Sequence, residues 1–278
     1  MSSSSSFLIV NTDLDATLLD HDTYSWQPAT EALQILKSRN IPLILNSSKT
    51  LAEMTALAEE LEISHPLVCE NGSLIAVPKA GGFSKEEILP HVVSVVDADE
   101  FWICHLGSSR DSVLEQIANL RIENPNFTFQ GYADWTTEQV AEHTGLPLDK
   151  AALSHQRNGT EPIHWHGSDE AFTLFQEELS QKGLKCVSGG RFIHLSGQSD
   201  KANGLRVVNS LYQQKVPEQQ VKTIALGDSP NDLGMLNAAQ IAVVIPNKVR
   251  LEPTAPRVIH AEQHGPEGWN TVMLDVLR

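Results

Sequence analysis

The chain has 278 residues, 41% of them hydrophobic and 20% charged, a composition that fits one large globular domain or two modest ones. With 35 acidic against 20 basic residues its formal charge is −15, which repels phosphate polymers and argues against a nucleic-acid partner, while a local cation still suffices to hold a small anion. Three scattered cysteines, no apolar run near the ~18 residues of a membrane span, and no secretory signal behind the serines at 2–6 exclude a disulfide scaffold, a cysteine-rich zinc site and a membrane anchor, and point to the cytoplasm.

Residues 7–10 are a continuous apolar run, as expected of a strand buried on both faces. Residues 29–39 put Ala29, Ala32, Leu33 and Leu36 on one side at helical spacing, and 41–45 form a second buried strand. Thr50 and Glu53 make a capping box for a helix reaching about residue 61. A third strand at 67–69 is closed by the turn-forming Asn71-Gly72 before another run at 73–77. Between 78 and 188 the texture changes, with shorter apolar runs and most of the histidines. Strands are predicted there at 101–106, 163–165 and 184–187, and helices at 112–120, 136–144 and 169–182. The β-α alternation then returns, with helices at 201–213 and 232–239 and strands at 223–226 and, last, 241–245. The expected fold class is α/β, a doubly wound and mostly parallel core made of 1–82 and 189–278. An α+β cap at 83–188 interrupts it, hinged at 78–82 and 188–190.

Four features carry chemistry. Asp13 and Asp15 directly follow the first strand, where open α/β sheets bind ligands. Gly227-Asp228-Ser229-Pro230-Asn231-Asp232 follows the strand at 223–226 and brings further carboxylates to the same edge. Carboxylates sharing one crevice repel unless a cation lies among them, and Mg²⁺ with substrate phosphate suits such oxygen donors. Asn46-Ser47-Ser48-Lys49-Thr50 opens a helix with hydroxyls and backbone N–H groups, a natural phosphate cradle. Lys201 begins a helix against its dipole, which favours a functional reason for the cation.

In order and spacing, Asp13-x-Asp15-x-Thr17, Ser47, Lys201 and Gly227-Asp228-x-x-x-Asp232 resemble the haloacid dehalogenase superfamily. Ala16 departs from that pattern, which has glycine after the second aspartate. A closer resemblance, to the mannosyl-3-phosphoglycerate phosphatase family, runs through 20–28, 47–50, Glu70-Asn71-Gly72, Thr160-Glu161-Pro162, Gly190-Arg191-Phe192, 227–232 and 265–269. It implies hydrolysis of the phosphate of mannosyl- or glucosyl-3-phosphoglycerate to the glycosylglycerate, a compatible solute. Asp13 is then the nucleophile and Asp15 the acid and base. Mg²⁺ is held by Asp13, the Asp15 carbonyl and Asp228, with Asp232 direct or through water, and Ser47 and Lys201 bind phosphate oxygens. The residues expected at the substrate are Ser48, Lys49, Asn71 and Asn231 in the core and Glu161 and Arg191 in the cap, with Arg157 also charged for a carboxylate or sugar hydroxyls. The partner is thus a small phosphorylated glycoside, and no oligomeric state follows. Two other readings compete, a broader sugar-phosphate phosphatase of the superfamily and a catalytically silent binding protein on the same scaffold. His164 and His166 share a strand face without a third metal ligand in evidence.

Overall fold

The computed structural model describes residues 6–188 and 192–278. Its first elements are β1 (Ser6–Thr12), α1 (Thr30–Ser38), β2 (Leu43–Leu45), α2 (Leu51–Glu60), β3 (Leu67–Cys69), β4 (Leu74–Pro78), α3 (Lys85–Ile88), β5 (Ser94–Asp97) and β6 (Phe101–His105). There follow α4 (Arg110–Glu123), β7 (Phe129–Gly131), α5 (Thr137–Thr144), α6 (Leu148–His155), β8 (Thr160–Trp165), α7 (Asp169–Gln181), β9 (Lys185–Ser188) and β10 (Ile193–Ser196). The chain closes with α8 (Lys201–Lys215), β11 (Gln220–Gly227), α9 (Leu233–Ala238), β12 (Ile241–Val244), β13 (Arg257–His260) and α10 (Gly265–Val276).

Among the described residues the strands form three sheets. The first is parallel throughout, in the order β13-β12-β11-β1-β2. The inner stretches of its strands, 9–10, 43–45, 224–226 and 242–244, are apolar and buried because both faces are covered. Val10, Leu45, Leu226 and Val243 point to one side, where they meet Leu36 of α1, Met54 of α2 and Trp269 and Met273 of α10. Their neighbours Ile9 and Ile44 pack on Val208 and Leu211 of α8, and Ala225, Ala242 and Val244 on Met235 and Leu236 of α9. Period-two alternation, with helices on either face, accounts for every one of these positions. Trp269 also donates its indole N–H to Thr12 Oγ1 at 3.0 Å, which ties α10 to the end of β1.

The other two sheets are antiparallel, β3-β4-β6-β5 and β7-β8-β10-β9. In the latter, Ile163 and Leu195 face Val113 and Ile117 of α4 and Phe175 and Leu179 of α7. An α+β module thus sits beside a doubly wound core. Sheet membership does not follow the expected edges at 82/83 and 188/189. Phe83, Ile88 and Cys104 pack with Ile9, Ile44 and Val208, so 83–105 dock on the parallel core. At the far end, β10 pairs with β8 and β9. The two chain crossings run side by side at Gly107 and Gly197, whose missing Cβ atoms would meet Ser199 Oγ at 3.1 Å and the backbone N of Ser108 at 2.7 Å. Of the expected hinges, 189 and 190 lie outside the described residues. β13 was not expected after 241–245; its half-exposed edge position leaves only Val258 and Ile259 as an apolar signal. Among the described residues no helix is long and apolar enough to cross a membrane.

Candidate active site

The parallel sheet ends in acids. Asp13 N donates to Leu226 O at 2.9 Å, so the residues leaving β1 and β11 start level with each other. Asp13, Asp228 and Asp232 bring one carboxylate oxygen each within 4.8 Å of the others, and all three are buried. Into this group reaches Lys201, 1% exposed, whose ammonium donates to Asp13 Oδ1 and, at 2.6 Å, to Asp232 Oδ1. Asp200 caps α8 by accepting from Asn203 N at 2.8 Å, which offsets the placement of a cation in the first helical turn. Asn46 Nδ2 donates to Lys201 O at 2.9 Å and fixes that turn from below.

Three carboxylates against one ammonium leave the cluster short of positive charge. Burial, and then the neighbouring Asp232, push the Asp13 carboxyl well above the usual carboxylate range. Burial and Asp232 also raise Asp228. For Lys201 burial acts downward, but Asp13 and Asp232 outweigh it and hold the ammonium charged. The donor set is hard oxygen, as a divalent cation such as Mg²⁺ requires. The two aspartates of the Gly227–Asp232 loop differ in what they have free. Asp232 Oδ2 accepts from the backbone of Asp228 and Ser229 and from Ser229 Oγ, each at 3.1 Å, and its Oδ1 is taken by Lys201. Asp228 accepts only neutral donors, Thr17 Oγ1 at 3.0 Å and the Asn247 side chain. Asp232 Oδ2 thus serves the loop, while Asp232 Oδ1 and both Asp228 oxygens each accept one side-chain bond, and one oxygen of each residue lies in the cluster.

Asp15 does not join this group. Its carboxylate turns to Lys49, with Nζ 2.8 Å from Oδ1, although both Asp13 and Asp15 line one cleft of about 460 Å³. Ala16 between Asp15 and Thr17 has φ 59°, in the left-handed region that glycine occupies without cost. The Ser47 loop lies against the turn after β3, with Asn71 N donating to Ser47 O and Glu70 N to Lys49 O, both at 2.9 Å. Gly72 is required in that turn: φ is 83°, and a Cβ would lie 2.0 Å from Asp200 O. Ser48, Asn71 and Asn231 line the cleft, and Asn231 Nδ2 donates to Asn71 Oδ1 at 3.3 Å. Ser47 is buried beneath, and its Oγ accepts from Lys49 N at 3.3 Å.

One expected cap residue falls elsewhere. Glu161 is buried inside the cap, where Oε2 accepts from Arg110 Nε at 2.9 Å and Nη2 at 2.7 Å, and Oε1 from Ala133 N at 2.7 Å. Its carboxylate is spent on holding cap elements together. Arg191 lies outside the described residues. From the cap, Val187 and His194 line the cleft instead. Glu70, fully buried, accepts from the backbone N–H groups of Asn158, Gly159 and Thr160 at 2.7, 3.1 and 2.8 Å and from Thr160 Oγ1 at 2.6 Å. That carboxylate clasps cap to core. Asn247 and His194 escaped sequence reasoning, and Glu70 entered it only within a motif, without a role. Glu70, directly after β3, and Asn247, just past the end of β12, carry a signal of position.

Comparison with known proteins gives a consistent picture. The family of haloacid dehalogenase-like hydrolases matches residues 10–258. A glucosyl-3-phosphoglycerate/mannosyl-3-phosphoglycerate phosphatase from Methanococcoides burtonii is 36% identical over 272 residues, covering 97% of each chain. Its namesake from Persephonella marina is 33% identical over 275 residues, again covering 97% of each. In fold, the chain is similar to a crystal structure of a Thermoplasma acidophilum protein at a TM-score of 0.65 and 15% identity, over 98% of both chains.

Proposed function

The chain belongs to the haloacid dehalogenase-like hydrolases, and from that membership we propose that it is a phosphatase that converts glucosyl- or mannosyl-3-phosphoglycerate to the glycosylglycerate and inorganic phosphate. The near-full-length likeness to the two relatives of that name supports the substrate. The observation that carries the chemistry is the buried group of Asp13, Asp228 and Asp232 around Lys201 at the carboxyl ends of β1 and β11.

In this reading an Asp13 oxygen attacks phosphorus in line, the bond to the glycerate oxygen breaks, and an aspartyl-phosphate forms. Asp15, in the same cleft and entering this step as the carboxylic acid, gives its proton to the departing alkoxide and is left as the carboxylate. It then takes one from the water that releases phosphate and restores Asp13, a proton transfer worth about 10²–10⁴ in rate. Lys49 holds the Asp15 carboxylate in place. Lys201 and Ser47 meet the non-bridging oxygens, and Lys201 also keeps Asp13 aligned. The side chains fit Mg²⁺, with Asp13 and Asp228 and, by family likeness, the Asp15 carbonyl as its holders. When bound it supplies the charge that lets an anionic carboxylate approach an anionic phosphate. Asp232 is a positioning residue. Residues 107–188 and 192–197 act as the cap that excludes water, and Glu70 is their clasp on the core.

The test is phosphate release from both glycosyl-3-phosphoglycerates with Mg²⁺ and with a chelator. Metal-dependent release that Asp13→Asn abolishes, with the thermal midpoint retained, is the expected result. Release by Asp13→Asn at near the normal rate removes the nucleophile. Turnover of hexose phosphates without turnover of either glycosyl-3-phosphoglycerate removes the substrate.

A further inference from the structure

Among the described residues, two buried polar atoms of the cap are left without a hydrogen-bond partner, Nε of Arg157 and Nδ1 of His194. Arg157 precedes β8 and its side chain is only 6% exposed. One end of the guanidinium is engaged, with Nη1 donating to Thr160 Oγ1 at 2.8 Å and to Ser48 O at 3.4 Å, and Glu70 lies 4.0 Å away. Ser48 itself lines the catalytic cleft, so the guanidinium is anchored to the cleft wall. His194 reaches the same cleft from β10, across from the acids of the core. Burial, and then the charge of Arg157, hold its imidazole down to about 3, so the ring is neutral at working pH. A guanidinium N–H behind the Ser48 side of the cleft and, in the matching tautomer, an imidazole N–H from β10 thus have nothing to accept from them, and the Arg157 charge acts directly on His194. Left that way, both are costly.

An acceptor with two oxygens and a negative charge answers both, which is the chemistry of a carboxylate. The two relatives are named for the glucosyl and the mannosyl compound alike. Those sugars differ in configuration at one carbon, whereas the glycerate carboxylate is common to both. We propose that Arg157 Nε and His194 Nδ1 form a carboxylate subsite in the cap that reads the glycerate unit, an inference that rests on the glycosyl-3-phosphoglycerate reading. The subsite fills as the cap closes over the substrate. Its occupant separates this enzyme from phosphatases of plain sugar phosphates, because a site built to bond a polar group rejects the analogue that lacks it.

The experiment compares kcat/KM for glucosyl-3-phosphoglycerate with that for the analogue carrying CH₂OH in place of the carboxylate. The wild-type enzyme prefers the acid by at least about tenfold. Arg157→Gln and His194→Phe each reduce that preference by about tenfold, through KM for the acid, and His194→Asn, which keeps a side-chain N–H close to Nδ1, restores most of it. If both variants slow the two compounds by one common factor, or the wild type shows no preference, the subsite is overturned while the proposed activity stands. A wild-type enzyme that hydrolyses neither compound but does hydrolyse hexose phosphates overturns the activity and the subsite together.

Discussion

Replacing Ala16 by glycine stabilises the protein, although glycine for alanine is ordinarily a loss. Ala16 sits at φ 59° in the loop that leaves β1. A Cβ in that region crowds the following carbonyl and costs about 1–2 kcal/mol. Glycine removes this strain, but its freer unfolded chain returns about 0.4–1 kcal/mol. The difference leaves Ala16→Gly more stable by about 0.5–1 kcal/mol, which in a chain of this size raises the thermal midpoint by roughly 1–3 °C. The side chain is half-buried and lines the cleft, so loss of one methyl leaves no core cavity to offset the gain. Thermal or urea unfolding in chelator-treated buffer measures the difference without a contribution from bound metal. A midpoint that falls by a degree or more on Ala16→Gly refutes the strained-loop account, since only a residue free of left-handed strain responds in that direction.

Lys201→Met removes the one ammonium among three buried carboxylates; a loss of about 3–5 kcal/mol in urea unfolding is expected, together with loss of phosphate release, and a loss below about 1 kcal/mol contradicts the ion cluster. Glu70→Gln weakens the charge-assisted bonds to the backbone of 158–160 by about 2 kcal/mol. Faster amide exchange at those residues reports it, and unchanged protection excludes the clasp. His194 lies below its ordinary value in the folded state, so the unfolded chain takes up the proton first. Its contribution is complete above about pH 6.5 and is lost as pH falls toward about 3, by at most about 1.4 kcal/mol per pH unit. Urea midpoints of wild type and His194→Asn at pH 7 and pH 5 check the sign, and a wild-type slope no steeper than that of the variant speaks against it.

The parallel core was readable because its physics is local. Residues 7–10, 41–45 and 224–226 are apolar without break, and the Thr50–Glu53 capping box announces a helix that forms where expected. What stayed hidden depends on contacts distant in sequence. Phe101–His105 has the texture of the cap strands, yet Cys104 finds its neighbours on β1 and α8, and no pattern within the segment distinguishes the two destinations. β5 and β7 are short, and β13 is half-exposed at both central positions, so each lacks the periodicity that makes a strand visible.

The site divides along the same line. Acids placed directly after buried strands must arrive at one edge of a parallel sheet, so Asp13 and Asp228 were predictable as neighbours from order alone. Which oxygen does what was not. Asp15 and Asp13 are two residues apart, yet the second carboxylate is engaged by the ammonium of Lys49 and the first by Lys201. Asp232 was expected at the metal directly or through water, and its oxygens accept from the loop it closes and from Lys201. Glu161 shows the converse: a carboxylate expected at the substrate is engaged by Arg110 and Ala133. A motif fixes which charges reach a region, while the hydrogen-bond donors already present there decide which remain free to act. The two atoms left free in the cap, on Arg157 and His194, are where substrate discrimination is to be measured.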